Sequence, residues 1–252
     1  MKTFQSALAK GAFAVTAELS WEAYDQFADV MTRAASLADY VDGIQLGENR
    51  GIEARVSPTA LAVLLLREGI DSTPTINCRD RNRIALHSEL LGLRALGVTS
   101  LVLNSGRPIP AGPGDIADNV FDINGRELIA IAKEIDESGW LPGTDGRVPD
   151  NDSEWLAEPL QHRAAAGAQF LRLRPCNDLT RLRNHMARLV QEKVTWSYSV
   201  VVSLTCGPAD ETARMIEDVA AIPGVSGINL LCPGAPGLVI ESLKSSGRSS
   251  AS

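Results

Sequence analysis

One carboxylate stands in an otherwise apolar, strand-like segment, AVTAEL, near the start of the chain. This residue is Glu18. A carboxyl group in apolar surroundings has a raised pKa, because burial disfavours its charged form, and it can then act as a general acid near neutral pH. The same pattern also fits a buried structural carboxylate paired with an arginine. The residues alone leave both interpretations open.

A dense polar cluster, CRDRNR, occupies positions 78–83 after another short apolar segment. It contains Arg79, Arg81 and Arg83 and leads directly into a helical pattern with leucines at helical spacing. Local turn chemistry rarely needs three arginines, so the cluster predicts a site for an anionic group. The alternative is a solvated helix start with Asp80 as its N-cap.

Alternating strand-like and helix-like segments predict the scaffold that positions these side chains. Eight segments of each kind alternate along 252 residues, which matches a single (β/α)8 barrel, the TIM barrel fold. A doubly wound open sheet is the alternative, but no GxGxxG turn follows the first strand. We predict a barrel domain over residues 1–243 and a disordered tail, KSSGRSSAS, over residues 244–252.

The boundaries of these elements follow from apolar patterning and from caps. The predicted strands are 14–19, 41–46, 73–78, 100–104, a weak segment near 139–143, 169–174, 195–205 and 227–232. The predicted helices are 22–38, 59–68, 84–96, 125–137, 153–166, 179–191, 209–221 and 236–243.

In such barrels the active site lies at the C-terminal ends of the strands. The candidate residues at the predicted strand ends are Glu18, Gln45, Asn77, the cluster 78–83, Asn104, Ser105, Arg107, Arg147, Arg172, Arg174, Cys206, Asn229 and Cys232. Seven arginines would make this mouth positive in a chain of net charge −7: Arg79, Arg81, Arg83, Arg107, Arg147, Arg163 and Arg174. A positive mouth suits a phosphate, a dinucleotide or a glutamate tail. Alternatively, several of these arginines pair on the rim with Asp80, Asp115, Asp145 and Asp150, where ion pairs contribute little to stability.

Three cysteines, Cys176, Cys206 and Cys232, follow three successive strands. Converging thiolates could bind zinc, but the residues around them lack metal-ligand spacing, so we predict no metal site. The absence of a CxxC pair favours free thiols in a reducing cytoplasm over a disulfide scaffold. The three histidines lie on predicted helices and form no visible catalytic dyad.

Charge and hydropathy exclude several classes of function. A net charge of −7 disfavours a nucleic-acid surface, which needs a basic stripe. No apolar run approaches the roughly 20 residues that span a bilayer. The short N-terminal apolar stretch runs directly into a strand, which disfavours a signal peptide. We therefore predict a cytoplasmic protein that acts on a small molecule.

Several segments, in order along the chain, resemble the methylenetetrahydrofolate reductase family. They are VTAEL at 15–19, SPTALAVLLLREGID at 57–71, TINCRDRNRIALHSELLGLRALGV at 75–98, NVFDINGRELI at 119–129, AAAGAQF at 164–170 and PGVSGINLL at 223–231. The resemblance implies a flavin-containing (β/α)8 barrel. It further implies a homo-oligomer, or a subunit of a complex, that reduces 5,10-methylenetetrahydrofolate to 5-methyltetrahydrofolate with FAD and NAD(P)H.

The resemblance also implies roles for individual residues. Glu18 matches the glutamate that protonates the pterin. The implied cofactor-binding residues are Thr75, Arg79, Arg81, Ser105, Gly106, Arg107 and Arg163. The implied substrate-binding residues are Gln45 and Arg174.

The departures from the family pattern cluster where ligands bind. Ser20-Trp21 replace a proline pair, Leu46-Gly47 a threonine-aspartate pair, and Leu173-Arg174 a threonine-glutamine pair. Arg107 stands where the family has an aspartate near the flavin ring, and this reversal of charge would alter the flavin's electronics. These changes leave two alternatives to the reductase: a folate-binding accessory subunit, and a folate-dependent methyl-transfer protein without normal flavin chemistry.

Overall fold

Eight parallel strands, each hydrogen-bonded to the next in chain order, form a closed barrel at the centre of the protein. The computed structural model describes residues 2–48, 54–109, 117–136, 139–150 and 156–248. The strands are β1 (Ala14–Leu19), β2 (Gly43–Leu46), β3 (Ser72–Asn77), β4 (Ser100–Asn104), β5 (Leu141–Gly146), β6 (Phe170–Leu173), β7 (Ser199–Thr205) and β8 (Val225–Leu231). Pairing of β8 with β1 closes the ring. The predicted (β/α)8 barrel is confirmed.

A helix follows each strand, and one further helix precedes β1. The helices of the described chain are α1 (Phe4–Ala9), α2 (Phe27–Ala38), α3 (Pro58–Arg67), α4 (Arg83–Ala95), α5 (Gly125–Ile135), α6 (Glu158–Ala166), α7 (Leu179–Gln191), α8 (Ala209–Ala220) and α9 (Pro236–Ser245). A short 3₁₀ turn, Val194–Trp196, lies between α7 and β7. No helix in the described part of the chain is both long and apolar enough to cross a membrane.

Side-chain caps fix where several helices begin. Ser57 accepts a hydrogen bond from the backbone of Ala60 at the start of α3, and Asn124 forms a capping box with Glu127 at the start of α5. For α4 the N-cap is Asn82, which accepts from the backbone of Ala85. The alternative in which Asp80 caps this helix is therefore wrong.

Some boundaries differ from those predicted. Strand β5 is displaced by two to three residues towards the C-terminus, because Gly143 and Gly146 hide the strand in the sequence. The 3₁₀ turn takes the first residues of the predicted seventh strand, and α2 begins at Phe27 rather than at residue 22. Helix α9 extends to Ser245, two residues into the predicted tail. Residues 249–252, Asp115 and the predicted start of α6 at residue 153 lie outside the described residues.

The N-terminal end of the barrel is closed by apolar side chains. Helix α1 places Phe4 against Phe170 of β6, edge to face, with ring centroids 5.2 Å apart. A small cluster surrounds the pair: Ala7, Ala14, Val102, Leu141 and Val201. Gly143 must be glycine here, because a Cβ atom would lie 2.2 Å from the Phe170 ring. Apolar side chains therefore fill this end of the barrel, apart from a buried hydrogen bond between Thr73 and Ser100 near the starts of β3 and β4.

Candidate functional site

Arg172 of β6 is the centre of a polar network inside the barrel, with only 5% of its surface exposed. Its Nε donates to Asp145 Oδ1 at 2.8 Å, and its two terminal nitrogens donate to Gln45 Oε1 at 3.0 Å and Thr75 Oγ1 at 3.3 Å. Burial by itself would lower the pKa of Arg172. The adjacent carboxylate of Asp145, with further contributions from Glu18 and Glu48, holds that pKa above its ordinary value. The guanidinium therefore ties together strands β2, β3, β5 and β6.

Asp145 is fully committed to this network. Its second carboxylate oxygen accepts from Asn104 Nδ2 at 3.1 Å, and its backbone N–H donates to Asn104 Oδ1 at 3.0 Å. The hydroxyl of Thr144 donates to the same Asn104 oxygen. A buried ion pair is tolerated only when its remaining polar atoms are also satisfied, and Asn104 does this for Asp145.

Glu18 and Gln45 lie side by side in register on β1 and β2, at the mouth of the barrel. Gln45 is fully buried, and its Nε2 group has no hydrogen-bond partner within the described residues. The half-buried carboxylate of Glu18 likewise makes no hydrogen bond or ion pair in that part of the chain. Gly47 leaves room beside this carboxylate, since a Cβ atom there would lie 3.0 Å from Glu18 Oε1. The mouth therefore has one acceptor at Glu18 and, at Gln45, a buried donor without a partner among the described residues.

A second carboxylate, Glu48, lies at the same mouth. Its Oε2 accepts from Asn77 Nδ2 at 2.7 Å, and the Asn77 oxygen accepts from the backbone of Arg79 at 3.0 Å. The last residue of β3 and the first residues of the polar cluster are thus bonded to the segment after β2. Glu48 was not among the predicted site residues, because its bond to Asn77 depends on how the ends of β2 and β3 lie in the barrel.

Arg55 holds the segment that carries Glu48. Its Nη2 donates to the carbonyl oxygens of Gly47 and Glu48, at 3.1 and 2.6 Å. The guanidinium stacks 4.4 Å from the centre of the Trp21 ring, whose Nε1 donates to Val56. Trp21, one of the departures from the family pattern, therefore anchors this side of the mouth.

The arginines of the polar cluster are engaged by carboxylates of the protein. Arg79 is 5% exposed and donates through two nitrogens to Asp80, at 2.6 and 2.8 Å. Arg81 pairs with Glu89 at 3.0 Å, and Arg83 pairs with Glu127 at 3.6 Å. The alternative of rim ion pairs therefore describes this cluster better than a positive mouth.

The other predicted cofactor residues are dispersed. Thr75 is buried in the Arg172 network, and Ser105 Oγ accepts from the backbone of Gly125 at the start of α5. Gly106, with φ of 85°, packs against Asn77 and Arg79, and Arg107 is exposed. Because the hydroxyls of Thr75 and Ser105 and the guanidinium groups of Arg79 and Arg81 are already bonded within the protein, these predicted residues do not form a prepared flavin site.

Arg163 and Arg174, predicted for cofactor and substrate, line one cavity together with Arg147. This cavity of about 320 Å³ lies at the ends of β5 and β6, beside α6 and α7. Arg163 donates to the backbone oxygen of Asp145 at 3.0 Å. None of Glu18, Gln45, Thr75 and Arg79 lines this cavity, so the predicted residues divide between two places.

The cysteines do not behave as predicted. Cys206 and Cys232 form a disulfide between the ends of β7 and β8, with Cα atoms 5.3 Å apart, so the expectation of free thiols is wrong for this pair. Neighbouring parallel strands bring residues 26 positions apart to the same edge of the sheet. Cys176 and Cys78 are buried free thiols, and burial raises the pKa of Cys78 to about 12. Across the described ranges, no three His, Cys, Asp or Glu residues could hold a metal ion together.

The histidines also differ from one another. His87 is exposed on α4, and His162 is exposed on α6 near Glu158. His185 is buried on α7, and burial together with the charge of Arg188 lowers its pKa to about 4. Its imidazole is therefore neutral at neutral pH.

Comparison with known proteins supports the fold but not a family. No family model matches the chain, and no curated protein matches it by sequence. Solved structures do match. An uncharacterised protein from Clostridium thermocellum that binds two copies of 5-methyl-5,6,7,8-tetrahydrofolic acid has a TM-score of 0.67 at 8% identity, covering 96% of this chain and 97% of that one.

Two further matches are enzymes with other names. A mutant tryptophan synthase α-subunit from Pyrococcus furiosus has a TM-score of 0.60 at 11% identity, covering 93% of this chain and 98% of that one. A flavocytochrome b2 mutant has a TM-score of 0.54 at 13% identity, covering 94% of this chain and 60% of that one. Identities this low establish a shared barrel fold alone. Membership in the methylenetetrahydrofolate reductase family stays a prediction.

Proposed function

We propose that this protein binds a reduced folate in the barrel mouth, with the pterin ring against Glu18 and Gln45. The observation that carries the proposal is a pair of adjacent groups, the Glu18 carboxylate and the Gln45 Nε2 group, that have no hydrogen-bond partner among the described residues. A pterin offers N–H donors and a ring carbonyl acceptor on one edge. The Glu18 carboxylate can accept from the donors, and the Gln45 amide can donate to the carbonyl.

Two independent observations support a folate over other small molecules. The sequence segments that resemble the methylenetetrahydrofolate reductase family include both VTAEL, which contains Glu18, and the CRDRNR block. The barrel from Clostridium thermocellum, whose fold is similar over nearly its whole length, binds two copies of 5-methyltetrahydrofolate. The two observations arise from different properties of the chain, one from residue identity and one from backbone geometry.

The charges at the mouth favour a ligand that becomes cationic. Arg172 is paired with Asp145, and Arg79 with Asp80, so the Glu18 and Glu48 carboxylates are not needed to neutralise these two guanidinium groups; the nearby Arg55 bonds to backbone oxygens. A fixed negative charge stabilises positive charge that develops on a bound ring during reaction. Glu18 would hold the proton that passes to or from the pterin, and Glu48 would stabilise the protonated or iminium form.

Two functions remain candidates for such a site. The first is the predicted reduction of 5,10-methylenetetrahydrofolate to 5-methyltetrahydrofolate, with FAD and NAD(P)H. The second is folate binding or methyl transfer without flavin. The engagement of Arg79, Arg81 and Ser105 within the protein favours the second, since these residues would otherwise hold the cofactor.

Calorimetric titration with 5-methyltetrahydrofolate tests the binding proposal. We expect saturable binding by the wild type and binding at least about tenfold weaker by Glu18→Gln, because one charge-assisted hydrogen bond is lost. The exposed Glu217 on α8 supplies the control: Glu217→Gln has the same change of charge and should bind like the wild type. Equal affinities for Glu18→Gln and wild type, or no binding by the wild type, would contradict the proposal.

The absorption spectrum separates the two candidate reactions. Protein mixed with FAD and freed of unbound cofactor is examined for a bound flavin, and then for NAD(P)H oxidation when 5,10-methylenetetrahydrofolate is added. Bound flavin with turnover would establish the reductase. Tight folate binding with neither flavin nor turnover would establish the second candidate.

A further inference from the structure

The cavity that contains Arg147, Arg163 and Arg174 has the composition of an anion site. Three guanidinium groups line it, and the one carboxylate among its lining residues, Asp145, is already bonded to Arg172 and Asn104. His185, which also lines it, is neutral at neutral pH. The residues that line the cavity therefore have a net positive formal charge, in a protein whose net charge is −7.

The walls of this cavity are held in place by other parts of the protein. Arg163 donates to Thr144 Oγ1 and to the backbone oxygen of Asp145. From α7, Arg181 donates to the backbone oxygen of Pro149 at 3.0 Å and to Asp150 at 2.7 Å, which fixes the segment after β5. Arg147 and Arg174 also make interactions within the chain, so a ligand would join an existing network. Such a prepared arrangement lowers the cost of ordering on binding.

The remaining lining residues indicate which anion fits. Leu156, Pro159, Leu160 and Leu173 also line the cavity and give it an apolar side in addition to the arginines. Inorganic phosphate would leave that side without contacts, whereas a short carbon chain between two carboxylates would cover it. Guanidinium groups bind carboxylates through paired, planar hydrogen bonds, so three of them can hold both ends of such a molecule.

We propose that this cavity binds a small dicarboxylate, either free in solution or as the glutamate tail of a folate held in the mouth. The free form is independent of the proposed function, and the tail form rests on it. Asp145 is common to both places, since its carboxylate faces Arg172 inside the barrel and its residue lines the cavity. A ligand that extends from the mouth over the end of β5 would therefore reach the arginines.

Calorimetric titration of the full chain with glutarate, without any folate, tests the cavity directly. We expect saturable binding, weakened at least about tenfold by Arg174→Ala and by Arg147→Ala, because each removes a charge-assisted contact. Arg147 is exposed and Arg174 half-buried, and circular dichroism establishes that both variants are folded. Arg183→Ala is the matched control, since Arg183 pairs with Asp218 and does not line this cavity; it should bind glutarate like the wild type.

Further titrations distinguish a free dicarboxylate from the glutamate tail of a folate, and they distinguish failure of this proposal from failure of the folate proposal. If the folate tail occupies the cavity, Arg174→Ala weakens binding of 5-methyltetrahydrofolate but not of its analogue that lacks glutamate, and saturating folate blocks glutarate. If glutarate still binds beside saturating folate, the ligand is a free dicarboxylate. Glu18→Gln should leave glutarate binding unchanged, so failure of the folate proposal would not affect this measurement.

Absence of glutarate binding at millimolar concentration, tighter binding of inorganic phosphate, or unchanged binding by Arg174→Ala would overturn the proposal.

Discussion

The two ends of the barrel are built on opposite principles. At the N-terminal end, Phe4 and Phe170 fill the interior with apolar surface that is fully buried. At the C-terminal end, Glu18 and the Gln45 amide group lie at the mouth with no partner in the described part of the chain. Folded proteins satisfy most of their buried polar groups, so an unpartnered donor beside an unpaired carboxylate at the strand ends is a candidate contact for a ligand. The apolar end maintains the fold, and our proposal assigns ligand recognition to the other end.

The largest expected effect is at the apolar end. Phe4→Ala should lower the free energy of unfolding by about 3–5 kcal/mol, because it removes a buried ring and leaves a cavity against Phe170. Urea denaturation measures this, and Tyr24→Ala, at a side chain that is 93% exposed, should change stability by less than about 0.5 kcal/mol. A small effect of Phe4→Ala would mean that α1 does not close the barrel in solution.

Removal of the cation at the centre of the barrel should be almost as costly. Arg172→Met leaves Asp145 buried without its ion pair and should lower the free energy of unfolding by about 3 kcal/mol or more. The double variant with Asp145→Asn should recover part of this loss, since no charge is then left unpaired. Urea denaturation of both variants tests the coupling. Purely additive effects would contradict the network described for the interior.

Two buried titratable groups, Asp71 and His185, should make the free energy of unfolding depend on pH in opposite directions. Burial raises the pKa of Asp71, beside α1, to about 6, although Phe4 N–H and Thr99 donate hydrogen bonds to it. The unfolded chain then ionises first, so this group should reduce stability by up to about 3 kcal/mol as pH rises from about 4 to about 6. The lowered pKa of His185 acts in the opposite direction, and its contribution is lost as pH falls from about 6.5 to about 4.

Variants separate these opposing contributions. Asp71→Asn should leave a protein that loses stability on acidification, and His185→Gln should leave one that gains it over the same range. The measurement is the urea midpoint between about pH 4 and pH 7, within which both groups titrate. Identical pH profiles for the two variants would show that neither group governs acid stability.

The smallest expected effect on stability is at the mouth itself. Glu18→Gln should change the free energy of unfolding by less than about 0.5 kcal/mol, or increase it, because the carboxylate makes no hydrogen bond or ion pair in the described chain. The same substitution should weaken folate binding, as set out above. Thermal unfolding of the variant beside wild type measures it. A loss of several kcal/mol would instead make Glu18 a structural carboxylate, the alternative that the sequence left open.

The barrel could be predicted from the sequence, because few other folds accommodate a regular alternation of apolar strands and amphipathic helices. The sequence was also sufficient to place Glu18 and Gln45 at strand ends. It was insufficient for α1, whose six residues are too short for a clear helical period, and for β5, whose glycines weaken the strand pattern. The displacement of β5 matters, because it puts Asp145 inside the barrel instead of on the rim.

The partners of the arginines could not be read from the sequence. In the sequence, Arg79, Arg81 and Arg83 resemble an anion site. Their carboxylate partners are Asp80, which is the next residue, Glu89 on the following helix α4, and Glu127 on α5. Arg147, Arg163 and Arg174 are far apart in sequence and converge only when β5, β6 and α6 are in place. The sign of a side chain's charge can be read from the sequence, whereas the partner of that charge depends on the tertiary structure. Glu48 was missed for the same reason, since its partner Asn77 lies on the neighbouring strand.

The most direct test of the central claim observes the Gln45 side-chain amide. In nitrogen-15 labelled protein, the two Nε2 proton signals of Gln45 are assigned by their absence in Gln45→Met. Addition of 5-methyltetrahydrofolate should shift both signals, and the shift should saturate at the same concentration as calorimetric binding. Folate binding that leaves the Gln45 amide signals unmoved would place the ligand elsewhere and contradict this account of the mouth.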